Sequence, residues 1–124
     1  MIKFLLLFLG GGIGTICRHG LYQLTPTSFW ATLLVNILGS FLAGILYGIY
    51  FHTEIPDHWK TFVHVGLLGG FTTFSTFSLE MLMLTHDISL TMTILYGLAN
   101  VAGGIVGAYT GFLLGRIIST GTYS

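Results

Sequence analysis

Between Phe29 and Phe51 the chain carries no Asp, Glu, Lys or Arg. Three more stretches are nearly as free of charge, and they constrain the fold more than any other feature. Lipid offers no partners to backbone amides and carbonyls, so an apolar run of that length must close its hydrogen bonds within itself, as a helix. About 20 residues at ~1.5 Å rise cross the hydrocarbon core. The runs predict four spans, at about 2–24, 29–51, 61–84 and 89–119, forming a single all-α membrane domain over residues 1–124. Only 6% of residues are charged, against roughly 25% in soluble domains. Lys3 followed by Phe4–Leu9 has the look of a signal peptide. No Ala-x-Ala site follows, so this segment is expected to be the first span. The formal net charge is zero, which gives no purchase on nucleic acid. Cys17 is alone and no two histidines share an i, i+3 or i, i+4 spacing, so neither a disulfide nor a histidine metal site is expected.

Trp30, Trp59, Tyr22 and Tyr50 fall near predicted span ends, as an interfacial aromatic belt would. Thr25-Pro26-Thr27-Ser28 is a turn in which Thr27 or Ser28 can cap the next helix. Gly44 and Gly48 give the second span a small-residue face. Gly103, Gly107, Gly111 and Gly115 give the fourth another, so close backbone approach is expected there. Lys3, Lys60 and Arg116 fall on the terminal side, too few to set one orientation firmly. Four helices form a bundle too thin to enclose a wide pore. An oligomer is expected, and an antiparallel one supplies inverted symmetry.

The third span holds the chemistry. From Gly66 to Ser78 it reads Gly-Leu-Leu-Gly-Gly-Phe-Thr-Thr-Phe-Ser-Thr-Phe-Ser. Gly69-Gly70 is expected to break the helix near mid-membrane, which is tolerated where a break binds an ion or lines a wet path. Freed carbonyls suit a small cation, while the hydroxyls of Thr72, Thr73, Ser75, Thr76 and Ser78 can donate to an anion. The ring edges of Phe74 and Phe77 carry partial positive charge; equally, Phe71, Phe74 and Phe77 are spaced as a packing stripe. Asn36, deep in the second span, is either a path residue or interhelical glue. Arg18 can neutralise an anion, support the break or snorkel to the interface. Glu80 is expected near a span end, at a vestibule or in solvent. Tyr96 and Asn100 share a helical face and either extend a polar track from Asn36 or pack and bond a neighbour. No nucleophile, base and acid come together, so no enzyme is expected.

Three stretches together resemble the Fluc or CrcB family of small dual-topology fluoride channels. They are Gly11-Gly12-x-Gly14-x-x-x-Arg18, Asn36-x-x-Gly39-Ser40-Phe41-x-x-Gly44, and Gly69-Gly70-Phe71-Thr72-Thr73-Phe74-Ser75-Thr76-Phe77-Ser78-x-Glu80. The resemblance implies an antiparallel homodimer in the cell membrane, with two fluoride pores each lined by both subunits. It implies passive export of F⁻ that relieves fluoride toxicity. Asn36, Phe74, Ser75, Thr76, Phe77, Tyr96 and Asn100 would line the pore, with Arg18 and Glu80 supporting it or edging a vestibule. The carbonyls of Gly69 and Thr72 would hold a structural Na⁺ at the dimer centre. Family members often continue the fourth helix with hydroxyl residues at four-residue steps, whereas this chain has Asn100, Gly104 and Ala108. The alternatives are a small four-helix multidrug exporter, which needs a membrane-embedded carboxylate, and a non-transporting subunit that packs through its glycine faces.

Overall fold

The computed structural model describes residues 1–121. Helix α1 (Ile2–Leu24) leads through a short turn to α2 (Ser28–Tyr50). The third span starts as α3 (Asp57–Lys60), widens into a π-helical stretch (Thr61–Leu68) and closes with α4 (Gly69–Phe71). After a two-residue interruption it resumes as α5 (Phe74–Asp87), and α6 (Leu90–Gly121) completes the chain. Among the described residues, four segments are long and apolar enough to cross a membrane, the third being Asp57–Asp87 with its interruption. The protein is a multi-pass membrane protein.

Glycine decides which helices touch. A Cβ at Gly44 would lie 2.1 Å from the carbonyl oxygen of Ala108. One at Gly111 would lie 2.1 Å from that of Phe41, and one at Gly115 2.1 Å from that of Ile45. The expected glycine faces of α2 and α6 are therefore pressed against each other, backbone to backbone. In a membrane such contact supplies the dispersion attraction that the hydrophobic effect cannot. Helix α1 docks in the same way on the π-helical stretch, where a Cβ at Gly14 would come within 2.0 Å of the Leu67 carbonyl oxygen. The buried apolar core is correspondingly small: Ala31, Val35, Leu68, Phe71, Phe77 and Leu84. Most large apolar side chains point outward, as lipid allows.

The break lies two residues beyond the expected Gly69-Gly70. Gly69 is helical, with φ −63° and ψ −36°. Thr72 (φ −79°, ψ 158°) and Thr73 (φ −149°, ψ 111°) are extended instead. β-Branched threonines accept extended backbone readily, and Thr73 caps α5 by accepting the Thr76 N–H through its Oγ1. Gly70 is small for another reason: a Cβ there would lie 2.5 Å from the Gly11 carbonyl oxygen. Its role is to admit α1.

Of the four residues of the expected aromatic belt, Tyr22 turns inward to Thr32. Trp30 and Trp59 are exposed. Lys60 lies over the Tyr50 ring at 5.6 Å, and Arg116 sits 5.6 Å from the Phe51 centroid and 5.8 Å from that of Phe112. Two basic groups, Lys60 and Arg116, are thus held on aromatic faces. Thr27 occupies the N-cap position of α2 without a side-chain cap bond. Thr25 instead turns its hydroxyl back to the carbonyls of Leu21 and Tyr22, at 3.1 and 3.3 Å.

Candidate functional site: the interrupted third span

An interruption inside a membrane strands the polar groups of its backbone, and those of Thr73 are taken up by one side chain. Asn36 of α2 accepts the Thr73 N–H through Oδ1 at 2.9 Å and donates through Nδ2 to the Thr73 carbonyl at 3.2 Å. The amide mimics a neighbouring strand. Its other Nδ2 hydrogen goes to Oδ1 of Asn100 at 3.1 Å, and Asn100 donates in turn to the Tyr96 carbonyl at 3.2 Å. Asn36 and Asn100 therefore meet, as the polar track requires, with interhelical bonding as the visible role of both. Both Nδ2 hydrogens of Asn36 are already given.

Arg18 meets the same interruption from α1, donating through Nη1 to the Thr72 carbonyl at 3.1 Å. Of its three expected roles, support of the break is the one this bond serves. The N–H that a continuous helix would return to the Gly69 carbonyl is that of Thr73, now given to Asn36. The Gly69 carbonyl is thus released from the helical ladder, while that of Thr72, whose helical donor Thr76 N–H goes to Thr73 Oγ1, is taken up by Arg18. A Cβ at Gly69 would meet nothing within 4 Å, so this turn faces outward. Gly39, Ser40, Ala43, His64 and Leu68 line the same shallow cavity as Gly69 and Thr72.

Glu80 corrects the span-end expectation. Only 2% of it is exposed, and both carboxylate oxygens are hydrogen-bonded. Thr32 of α2 donates to Oε1 at 3.0 Å, and the Tyr96 hydroxyl donates to Oε2. Among the described residues it has no ion-pair partner. A buried carboxyl group needs hydrogen bonds in place of its hydration, and hydroxyls supply them here. Thr32 is fully buried and was not anticipated from the sequence. Its position four residues before Asn36 places it on the same face of α2 and is the signal that could have found it.

The phenylalanines divide. Phe77 is buried, its ring 5.7 Å from that of Tyr96 and 5.7 Å from that of Phe74. Phe74 is 78% exposed. Phe71, the third member of the stripe, is buried beside Gly14, Leu67 and Leu68. Ser75 is exposed, with its hydroxyl 3.5 Å from that of Thr73. Thr76 receives the Thr73 hydroxyl proton at 3.0 Å, which leaves its own proton for a third group. Ser78 bonds back to the Phe74 carbonyl at 2.9 Å and offers no proton. One face of the bundle therefore carries Asn36, Asn100, Tyr96, Glu80 and Phe77 in contact. Phe74 and Ser75 project from that cluster.

A family model described as CrcB-like protein, Camphor Resistance (CrcB), matches residues 5–112. A protein of Magnetococcus marinus named fluoride-specific ion channel FluC is 43% identical, across 89% of this chain and 94% of its own length. Proteins of the same name from a strain of Thermus thermophilus and from Pyrococcus abyssi are each 38% identical. These cover 93% and 90% of this chain, and 96% and 94% of the relatives.

Proposed function

Because the chain belongs to the CrcB-like family, we propose that it is a fluoride-selective channel through which F⁻ leaves the cytoplasm passively. Relatives that carry the fluoride-channel name align along nearly their whole length, which leaves no support for a drug exporter or a packing subunit. The observation that carries the reading is the interruption itself. Asn36 fixes it, and beside it lie the uncommitted hydroxyl proton of Thr76, the exposed Ser75 hydroxyl on its long contact with Thr73, and the ring of Phe77. A small hard anion needs donors and positive ring edges but no fixed cation, since a full charge would trap it. Thr32 and Tyr96 hold two further protons on Glu80; swinging them to a passing fluoride would replace part of its hydration. Asn36 and Asn100 keep the donors in place. Neutral hydrogen fluoride enters a cell, dissociates and is trapped as F⁻. The inside-negative potential then drives the anion out, at ~2.3 kcal/mol per 100 mV.

The pore is completed by a second copy in antiparallel orientation within the cell membrane. What supports this is the outward polar surface at membrane depth: Ser75 beside the exposed Phe74, and the Gly69–Thr72 turn with His64. Lipid satisfies none of these groups. Two such turns meeting on a twofold axis would bring together the Gly69 carbonyls and the remaining lone pairs of the Thr72 carbonyls, which already accept from Arg18. That donor set, without a carboxylate, suits a monovalent Na⁺ better than Ca²⁺. Bound there, the ion would balance converging dipoles and fix the dimer centre; Gly69 and Thr72 are the residues that would hold it.

The test is purified protein in liposomes loaded with KF or KCl. Fast F⁻ release with Cl⁻ release at the protein-free rate is expected; equal rates for the two ions would overturn the assignment.

A further inference from the structure

The hydroxyl chain does not end at Thr32. Tyr22, in the last turn of α1, shares a hydrogen bond with Oγ1 of Thr32. The direction of this bond follows from proton counting. Thr32 has one hydroxyl proton, and it lies toward Oε1 of Glu80, an acceptor when ionised. Thr32 can meet Tyr22 only through a lone pair, so Tyr22 is the donor. The order is Tyr22 to Thr32 to Glu80, with Tyr96 donating from the opposite side.

Tyr22 is itself held. The Thr25 hydroxyl takes the carbonyls of Leu21 and Tyr22 and closes the end of α1 at this residue. Arg18 lies one turn earlier on the same face of α1 and carries its proton to the break. One face of α1, otherwise docked on the π-helical stretch by glycine contacts, thus sends one donor to the interruption and one toward the carboxylate.

We infer that Tyr22 is a positioning residue of the ion path, acting through Thr32 to fix where the Thr32 proton points. A threonine inside a helix has a competing acceptor, the carbonyl four residues back. For Thr32 that is Ser28. A donor arriving from Tyr22 occupies the Thr32 lone pair and strengthens the outgoing bond to Glu80. Without it, the Thr32 hydroxyl is free to turn to its own helix, and Glu80 loses one of its two donors. This inference rests on the fluoride-channel reading, which the wild-type liposome assay tests separately.

The experiment is a double-variant cycle. Tyr22→Phe keeps the ring and removes only the hydroxyl; Thr32→Val removes the relay. Fluoride efflux is measured for each variant and for the pair, with dimer content checked by gel filtration. In parallel, the Glu80 carboxyl stretch is followed by infrared difference spectroscopy, assigned by its loss in Glu80→Gln. Tyr22→Phe should slow efflux by about fivefold, the factor for one hydrogen bond of ordinary net strength. It should also move the Glu80 band. In the Thr32→Val background the same change should do neither, since Tyr22 then has nothing to act on. Wild-type efflux in Tyr22→Phe, an unmoved Glu80 band, or losses that multiply in the double variant would each overturn the positioning role. Absence of fluoride release from wild-type liposomes would instead overturn the function on which it rests.

Discussion

Replacing Asn36 with alanine tests the break where it is held most directly. Three hydrogen bonds vanish: two to the Thr73 backbone, at 2.9 and 3.2 Å, and one to Asn100 at 3.1 Å. Thr73 is only 6% exposed, so water does not take over. A buried polar group left without a partner costs about 1–3 kcal/mol, and two backbone groups are stranded. Interhelical bonds in membranes average nearer ~0.6 kcal/mol, because the altered state finds other partners. A net penalty of about 3 kcal/mol is a reasonable middle value, equivalent to roughly two powers of ten in rate if the intact geometry is what conducts. The protein has one evident escape, returning the Thr73 N–H to the Gly69 carbonyl and continuing the helix. That spares the penalty but abolishes the interruption, so flux falls on either route. The assay is fluoride-electrode efflux from liposomes, paired with hydrogen exchange at the Thr73 amide. Flux within about twofold of wild type, a change too small to register a lost hydrogen bond, together with a still-protected Thr73 amide, would refute the claim that Asn36 holds the break.

Phe77→Ile and Phe74→Ile keep bulk but remove the electropositive ring edge. Efflux should drop by about tenfold or more in each while gel filtration still shows a dimer, and full flux in both would return the pair to a packing stripe. Gly111→Ala places a methyl group where the Phe41 carbonyl oxygen would lie 2.1 Å away, so detergent-extracted protein should lose its dimer or its thermal stability. Gly12→Ala, with nothing within 4 Å of the added Cβ, should not; equal behaviour of the two would mean that the α2–α6 backbone contact is not what holds the bundle. Exchanging Na⁺ for a bulky organic cation during purification should lower dimer stability and flux, and unchanged values of both after long exchange would remove the carbonyl site. A C-terminal tag should be labelled from both sides of the membrane; labelling from one side alone would exclude antiparallel insertion.

The spans and the glycine faces are written in the order of residues alone. Lipid leaves an uncharged run of this length little choice but a helix, and glycines four residues apart on α6 mark where another backbone must fit. The stretch carrying the interruption was equally legible, because hydroxyl residues at membrane depth need a reason. The position of the break was not. In isolation Gly69-Gly70 is the weaker helix former, yet here both stay helical and Gly70 serves to admit Gly11. Extended backbone inside a bundle forms where a partner can satisfy it, and only folding brings Asn36 to Thr73 across 37 positions of sequence. The same holds for Glu80. Read along the chain, it is a carboxylate near the end of an apolar run. In the folded protein it is buried, because a hydroxyl 48 residues away on α2 and another on α6 replace water around it. Periodicity and charge are properties of a segment and can be read from it, whereas satisfaction of a buried polar group is a property of the neighbours that folding supplies.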